Sequence, residues 1–298
     1  MILKLLVGFL FFTLFLIMSH SNRHGCSSST SSNVIFKPGL LPLVITAPHG
    51  GWKKPTTIPD RVKNGSLVLT DLHTAEIAQD IYERIEQHYG HSPNLVVNTI
   101  SRRKADPNRD IDEGTETEGG RHIWIEYHSR IKDAIEALHR RHSFGLLIDI
   151  HGHTHPQGMI ELGYLVEPLD MRSSSEILNQ VVLKQSSIRS LANRHKSIIE
   201  PSKLLKQFGD SMVSYNSNIT VVPSTDNFDP GDEYFRGAYT IQTYHYHDDK
   251  ARQGLDAIQI EIPQRFRLTP KSREQLVHSV VNAAIQFLDN YYIIKTRL

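Results

Sequence analysis

Two histidines follow apolar runs that have the length of buried strands. His151 lies in residues 146–153, where an apolar run containing one aspartate leads into His-Gly-His. His49 lies in the turn that follows a second run, residues 41–47. Ligands of open α/β sheets bind beyond the carboxyl ends of such strands, and imidazole is the commonest metal ligand. Taken alone, each histidine is about as consistent with a residue of a surface turn as with a metal ligand. The other residues of the chain are therefore needed to assign its role.

Carboxylates at similar positions could complete a metal site with these histidines. Asp71 precedes a helical pattern. Either Thr70 or Asp71 could be the N-cap of that helix, or Asp71 could instead bind a metal. Glu76, one turn into that helix, competes for the same role. Glu261 interrupts the last apolar run, residues 257–263. Because a buried carboxylate without a partner is costly, we expect Glu261 to be functional.

This set of residue types is typical of a catalytic zinc centre. Two histidines and one carboxylate bind zinc and leave a fourth position open. A further carboxylate outside the metal shell could take a proton from water and pass it to a leaving amine. If His49 and His151 share a zinc ion, their side chains must lie within about 6 Å of each other, since zinc–nitrogen bonds are about 2.0–2.1 Å long.

A cluster of arginines follows another predicted strand, residues 94–100. Arg102, Arg103 and Arg109 carry planar guanidinium groups, which suit the recognition of a carboxylate. The same groups could stabilise a developing oxyanion. A solvated loop with local ion pairs is the alternative interpretation.

The order of predicted elements indicates an α/β protein. Strands alternate with helices up to the strand that carries His151, and a strand and an amphipathic helix, residues 271–292, close the chain. Between them we expect two helical pieces in 172–198, a short helix near 204–208, and an aromatic loop at 234–240 leading into a strand. The predicted fold is three-layer αβα with a mostly parallel or mixed central sheet.

The N-terminal residues 1–18 form an apolar run that is typical of a signal peptide or an N-terminal anchor. Its core is short for a membrane span, so we expect a cleaved signal and a secreted protein, with membrane anchoring as the alternative. Residues 19–35 are predicted to be a disordered Ser-rich spacer, and residues 36–298 a single catalytic domain. Cys26 is the only cysteine, which excludes an intrachain disulfide.

The charge balance bears on the class of partner. The 298 residues include 33 Lys and Arg and 32 Asp and Glu, for a net charge of +1. This balance argues against a nucleic-acid-binding surface. The arginine cluster at 102–109 favours a small-molecule substrate that carries a carboxylate, and we expect membrane contact only for the N-terminal segment.

Ordered segments of this chain resemble the motifs of the N-formylglutamate amidohydrolase family. The segments are Pro-His-Gly-Gly at 48–51, Asp-Pro-Asn-Arg at 106–109, Asp-Ile-His-Gly-His at 149–153 and Gln-Ile-Glu-Ile at 259–262. The aromatic segment at 235–240 is similar as well, and the resemblance extends over about residues 42–290. It implies the architecture of zinc-dependent carboxypeptidases and aspartoacylases.

The resemblance also implies roles for individual residues. His49 and His151 would bind zinc with Asp71 as third ligand and Glu76 in reserve, and Glu261 would be the general base. The remaining expected site residues are Arg102 at the catalytic centre and Asn108, Arg109, Arg103 and Tyr239 in substrate binding.

The function implied is hydrolysis of an amide bond in a small carboxylate-bearing substrate, such as an N-formyl or N-acyl amino acid. Two alternatives remain open. One is a secreted metallocarboxypeptidase-like enzyme, and the other is a non-catalytic extracellular binding protein with the same fold.

Overall fold

The computed structural model describes residues 32–293, in which eight strands form one mixed sheet. In space the strands follow the order β1-β3-β2-β4-β8-β5-β6, and β7 pairs with β8. Their bounds are β1 Val34–Lys37, β2 Leu43–Ala47, β3 Asn94–Asn98, β4 Phe144–His153, β5 Ile160–Gly163, β6 Val221–Val222, β7 Tyr246–Asp248 and β8 Gln253–Pro263.

The centre of the sheet is parallel. Strands β3, β2, β4 and β8 run in one direction. Strand β1 pairs antiparallel with β3 on one side of this group, and β5 pairs antiparallel with β8 on the other. The central strands are buried on both faces, which is why they read as continuous apolar runs in the sequence. The predicted mixed sheet is confirmed.

Helices cover both faces of this sheet. They are α1 Thr74–Tyr89, α2 Ile111–Gly114, α3 Glu118–His139, α4 Pro168–Met171, α5 Ser175–Lys184, α6 Arg189–His195, α7 Pro201–Tyr215, α8 Tyr239–Tyr244, α9 Gln264–Arg267 and α10 Pro270–Tyr291. Because side chains alternate along a strand, Leu43 and Ile45 belong to the core cluster that includes residues of α1, α7 and α10, whereas Val44 belongs to the cluster that includes residues of α3 and α8. The predicted three-layer αβα fold is confirmed.

Helix α1 begins later than predicted. It starts at Thr74, and its N-cap is His73, with a left-handed φ of 68° and no side-chain cap. Neither Thr70 nor Asp71 caps the helix, and Leu72 is 48% exposed rather than on an apolar helical face. The reason is that the Asp71 carboxylate accepts a hydrogen bond from the Gly152 amide at 3.1 Å, so it is held at the sheet edge.

Other predicted boundaries were also wrong. The short helix expected near 204–208 is the longer α7, Pro201–Tyr215. The aromatic loop leads into helix α8 instead of a strand, because Tyr239–Tyr244 packs its apolar side chains on α3. Strand β1 spans Val34–Lys37 and pairs with β3, so residues 34 and 35 of the spacer expected over 19–35 belong to the sheet.

The N-terminal predictions fall mainly on residues that the structure does not describe. The signal or anchor segment 1–18, most of the spacer and Cys26 lie outside the described residues. Within 32–293, none of the helices combines the length and the apolar composition that crossing a membrane requires.

Replacing Thr117 with alanine should destabilise the protein by about 0.5–2 kcal/mol, the usual effect of losing an N-cap. The Thr117 hydroxyl accepts a hydrogen bond from the Gly120 amide at the start of α3. Urea unfolding of Thr117→Ala measures the loss, and Thr117→Ser keeps the hydroxyl as the matched control. Equal destabilisation by both variants would contradict the capping role.

Candidate metal centre

Three neighbouring parallel strands bring the predicted histidines and Glu261 to one edge of the sheet. His49 follows the end of β2, and His151 lies near the end of β4, where it is paired in register with Glu261 of β8. All three side chains are buried. The ring centroids of His49 and His151 are 4.9 Å apart, which satisfies the limit of about 6 Å for a shared zinc ion.

Asp71 lies between the two histidines. Its Oδ2 atom is 3.3 Å from Nδ1 of His49 and 3.5 Å from Nδ1 of His151. Glu76 is elsewhere, because its side chain is 53% exposed and pairs with His73. The structure therefore brings Asp71 into the cluster and leaves Glu76 outside it.

Each histidine is held by a second buried carboxylate at its other ring nitrogen. Nε2 of His49 is 2.7 Å from Asp106, and Nε2 of His151 is 2.8 Å from Asp149. A carboxylate there keeps the proton on Nε2 and leaves the Nδ1 lone pair for a metal. Both Nδ1 atoms then face the Asp71 oxygen, an arrangement that a cation among them would stabilise. The donor set of two imidazoles and one carboxylate fits zinc.

The electrostatics of the centre also favour a cation. Burial alone would raise the pKa of Asp71, but His49 and His151 hold it well below its usual range. Burial would lower the pKa of His151, yet the carboxylates of Asp149 and Asp71 raise it well above its ordinary value. A group of donors that attracts a proton this strongly also attracts a divalent metal ion, since both are positive charges competing for the same lone pairs.

Glu261 lies beside this group. Its Oε1 atom is 4.0 Å from Nδ1 of His151 and accepts a hydrogen bond from Gln259 at 3.0 Å. Burial raises the pKa of Glu261 to about 8, despite the opposing effect of His151. The carboxyl group is thus held close to His151, and the negative charge of Asp71 adds to the rise of its pKa.

Arg102 contacts the centre through Asp106. Its Nε donates to Asp106 at 2.7 Å, and the Asn108 amide donates to the same carboxylate at 3.0 Å. Burial opposes ionisation of Asp106, but His49 and Arg102 lower its pKa well below the usual value. Arg102 therefore fixes the carboxylate that orients His49, which is a positioning role.

Of the four predicted substrate-binding residues, Asn108 lies at the centre, where its Nδ2 is 3.4 Å from Nε2 of His151. The side-chain oxygen Oδ1 of Asn108 accepts hydrogen bonds from the backbone amide and the hydroxyl of Thr240, at 2.9 and 3.0 Å. Tyr239 is half-buried near Trp124 and His128. Arg103 forms an ion pair with Asp60 at 3.6 Å. Arg109 is exposed to solvent.

Sequence reasoning missed the two supporting carboxylates. Asp149 interrupts an apolar strand just as Glu261 does, so the same argument about the cost of a buried charge could have found it. Asp106 offered no such signal, because it lies in a charged loop and only the fold brings it to His49.

Replacing Asp149 with asparagine should weaken metal binding by about 10–100-fold, the usual effect of losing a carboxylate that orients a metal-binding histidine. Asn keeps the size of the side chain but no longer fixes the proton on Nε2 of His151. Zinc titration against a competing chelator measures the change. Asp256→Asn, at a buried carboxylate bonded to Arg194 and Tyr292, is the control, and equal affinities in both variants would contradict the role of Asp149.

Comparisons with known proteins identify the fold. The N-formylglutamate amidohydrolase from Ralstonia eutropha JMP134 is 14% identical, with a TM-score of 0.53 over 87% of this chain and 98% of that chain. A gene product from Agrobacterium tumefaciens is also 14% identical, with a TM-score of 0.50 over 88% of this chain and 97% of that one. No family model and no curated protein matches the sequence. The chain therefore has the fold that the sequence resemblance implied.

Proposed function

We propose that the protein is a zinc-dependent hydrolase that cleaves the amide bond of a small carboxylate-bearing substrate, such as an N-formyl or N-acyl amino acid. One observation carries the proposal. His49 and His151 each have one ring nitrogen bound to a buried carboxylate and the other facing Asp71, with Glu261 alongside. Metal ligands and a neighbouring acid–base group are what amide hydrolysis requires.

The chemistry divides between the metal and the chain. His49, His151 and Asp71 would hold the zinc ion, which when bound would supply a Lewis acid for water activation and would favour the ionised form of nearby Glu261. The Glu261 carboxylate accepts a proton from the attacking water. It then delivers that proton to the amide nitrogen, so that the carbon–nitrogen bond breaks and a neutral amine leaves.

The choice of substrate rests on the segment that carries Arg109. Arg109 directly follows Asn108, whose Nδ2 is 3.4 Å from Nε2 of His151, and it is exposed to solvent, so we assign its guanidinium to binding a substrate carboxylate. The likeness in fold to an N-formylglutamate amidohydrolase supports a small acidic substrate, and the net charge near zero argues against a nucleic acid. An arginine that grips the substrate equally in the ground and transition states lowers KM without changing kcat.

The test is metal analysis of the purified protein combined with an activity screen. We expect bound zinc and release of free amine from N-formyl and N-acyl amino acids, with loss of activity when the carboxylate is blocked as an amide. Protein that binds these compounds without hydrolysing them would instead be the binding protein considered from the sequence. Protein that carries no zinc and hydrolyses none of the substrates would overturn the proposal.

A further inference from the structure

A second group of potential metal ligands lies beside the first, at the junction of β4 and β5. It consists of His153 at the end of β4, His155 in the following turn, and Glu161 in β5. Nδ1 of His155 is 2.8 Å from Oε1 of Glu161, and Nδ1 of His153 is 3.8 Å from the same oxygen. One donor atom from each residue lies within 4.8 Å of the others.

The hydrogen bonds around the group direct its donor atoms inward. His153 donates from Nε2 to the Met159 carbonyl at 2.9 Å, which leaves its Nδ1 as an acceptor. That lone pair takes the His155 amide at 3.1 Å, a bond that a metal ion would replace. Oε2 of Glu161 accepts from the Phe235 amide at 2.9 Å, so Oε1 is the oxygen free to face the histidines.

Burial and charge favour a cation here. The Glu161 side chain is only 4% exposed, and within the described chain its ion pairs are with the two histidines. A buried carboxylate without a fixed positive partner is costly, and a metal ion supplies that charge. His155 is 19% exposed and stacks on Phe235 with ring centroids 4.4 Å apart, so the group has one side open to an incoming ion.

We propose that His153, His155 and Glu161 bind a second divalent transition-metal ion of the zinc class. Ligand atoms of a tetrahedral zinc site lie about 3.3–3.4 Å apart when the metal–ligand bonds are about 2.0–2.1 Å. The measured distances of 2.8 and 3.8 Å lie on either side of that value. Two histidines and a glutamate also form a ligand set that proteins use for zinc, with a fourth position open.

This site is distinct from the first centre but shares its edge of the sheet. Glu161 is paired in register with Glu261, which in turn is paired with His151. His153 follows His151 by two residues and so lies on the same face of β4. Because the second site uses none of the first centre's ligands, the inference does not depend on the proposed function.

Zinc counting in the full-length protein tests the proposal. The protein is stripped with a chelator, loaded with excess zinc and desalted before metal analysis. We expect about two zinc ions per chain in the wild type and about one in His155→Ala, Glu161→Gln and His151→Ala. His122→Ala, at a histidine whose side chain is 73% exposed, is the matched control and should keep both ions.

The outcomes separate this site from the first centre. A single ion in the wild type that His155→Ala retains would overturn the second site and leave the first intact. A loss in His155→Ala with no loss in His151→Ala would support the second site and argue against the first. If circular dichroism shows that His155→Ala does not fold, the zinc content of His151→Ala tests the second site instead. One retained zinc ion in His151→Ala would support the second site, and no retained zinc would overturn it.

Discussion

Glu261→Gln should keep zinc bound and lose about 10²–10⁴-fold in kcat, the usual contribution of general acid–base catalysis. Glutamine has nearly the shape of glutamate but cannot accept a proton from water. Glu261 is held by Gln259 and lies 4.0 Å from His151, so the substitution removes the proton acceptor without removing a metal ligand. We expect KM to change little, because the lost interaction belongs to the transition state.

Steady-state kinetics and zinc content, measured on the same preparation, check this expectation. Glu76→Gln is the matched control, since Glu76 was the competing carboxylate and is exposed beside His73. It should retain full activity and full zinc content. If Glu261→Gln turned over like the wild type on a confirmed substrate, Glu261 would not be the base.

His151→Ala should lose zinc from the first centre and with it all measurable turnover. The substitution removes one of three donors and leaves Asp149, which is fully buried, without its histidine partner. Thr46 still donates to Oδ1 of Asp149, but Oδ2 loses the histidine, and a buried polar atom left unsatisfied costs about 1–3 kcal/mol, or more if it is charged. We therefore expect lower stability in addition to the loss of metal.

Metal analysis after dialysis, together with thermal unfolding, measures both effects. The loss should exceed that of Asp149→Asn, which keeps His151 and weakens binding only partly. His122→Ala controls for the removal of a histidine as such. Retention of zinc at the first centre by folded His151→Ala would contradict the assignment of His151 as a ligand.

The sequence by itself determined the fold class and the main members of the first centre. Central strands buried on both faces must be continuous apolar runs, so the runs that became β2, β3, β4 and β8 could be recognised locally. His49 and His151 stand out because they end such runs. Glu261 stands out because a carboxylate inside an apolar strand is costly without a function.

Only the tertiary structure decided which of the remaining polar residues belong together. The structure places Asp71 rather than Glu76 in the centre, because the Asp71 carboxylate accepts a hydrogen bond from the Gly152 amide across 81 residues of sequence, while the Glu76 side chain is 53% exposed. Asp106 reaches His49 across 57 residues, and Arg103, from the same loop, pairs with Asp60 instead.

The second group of ligands also emerged only from the fold. His153 and His155 were visible in the sequence, but Glu161 lies in a short strand that gave no distinct pattern. Antiparallel pairing of β5 with β8 places Glu161 opposite Glu261 and within reach of both histidines. The physical reason is general: burial leaves a local pattern along the chain, whereas the partner of a polar side chain is set by strand pairing and crossovers between distant segments.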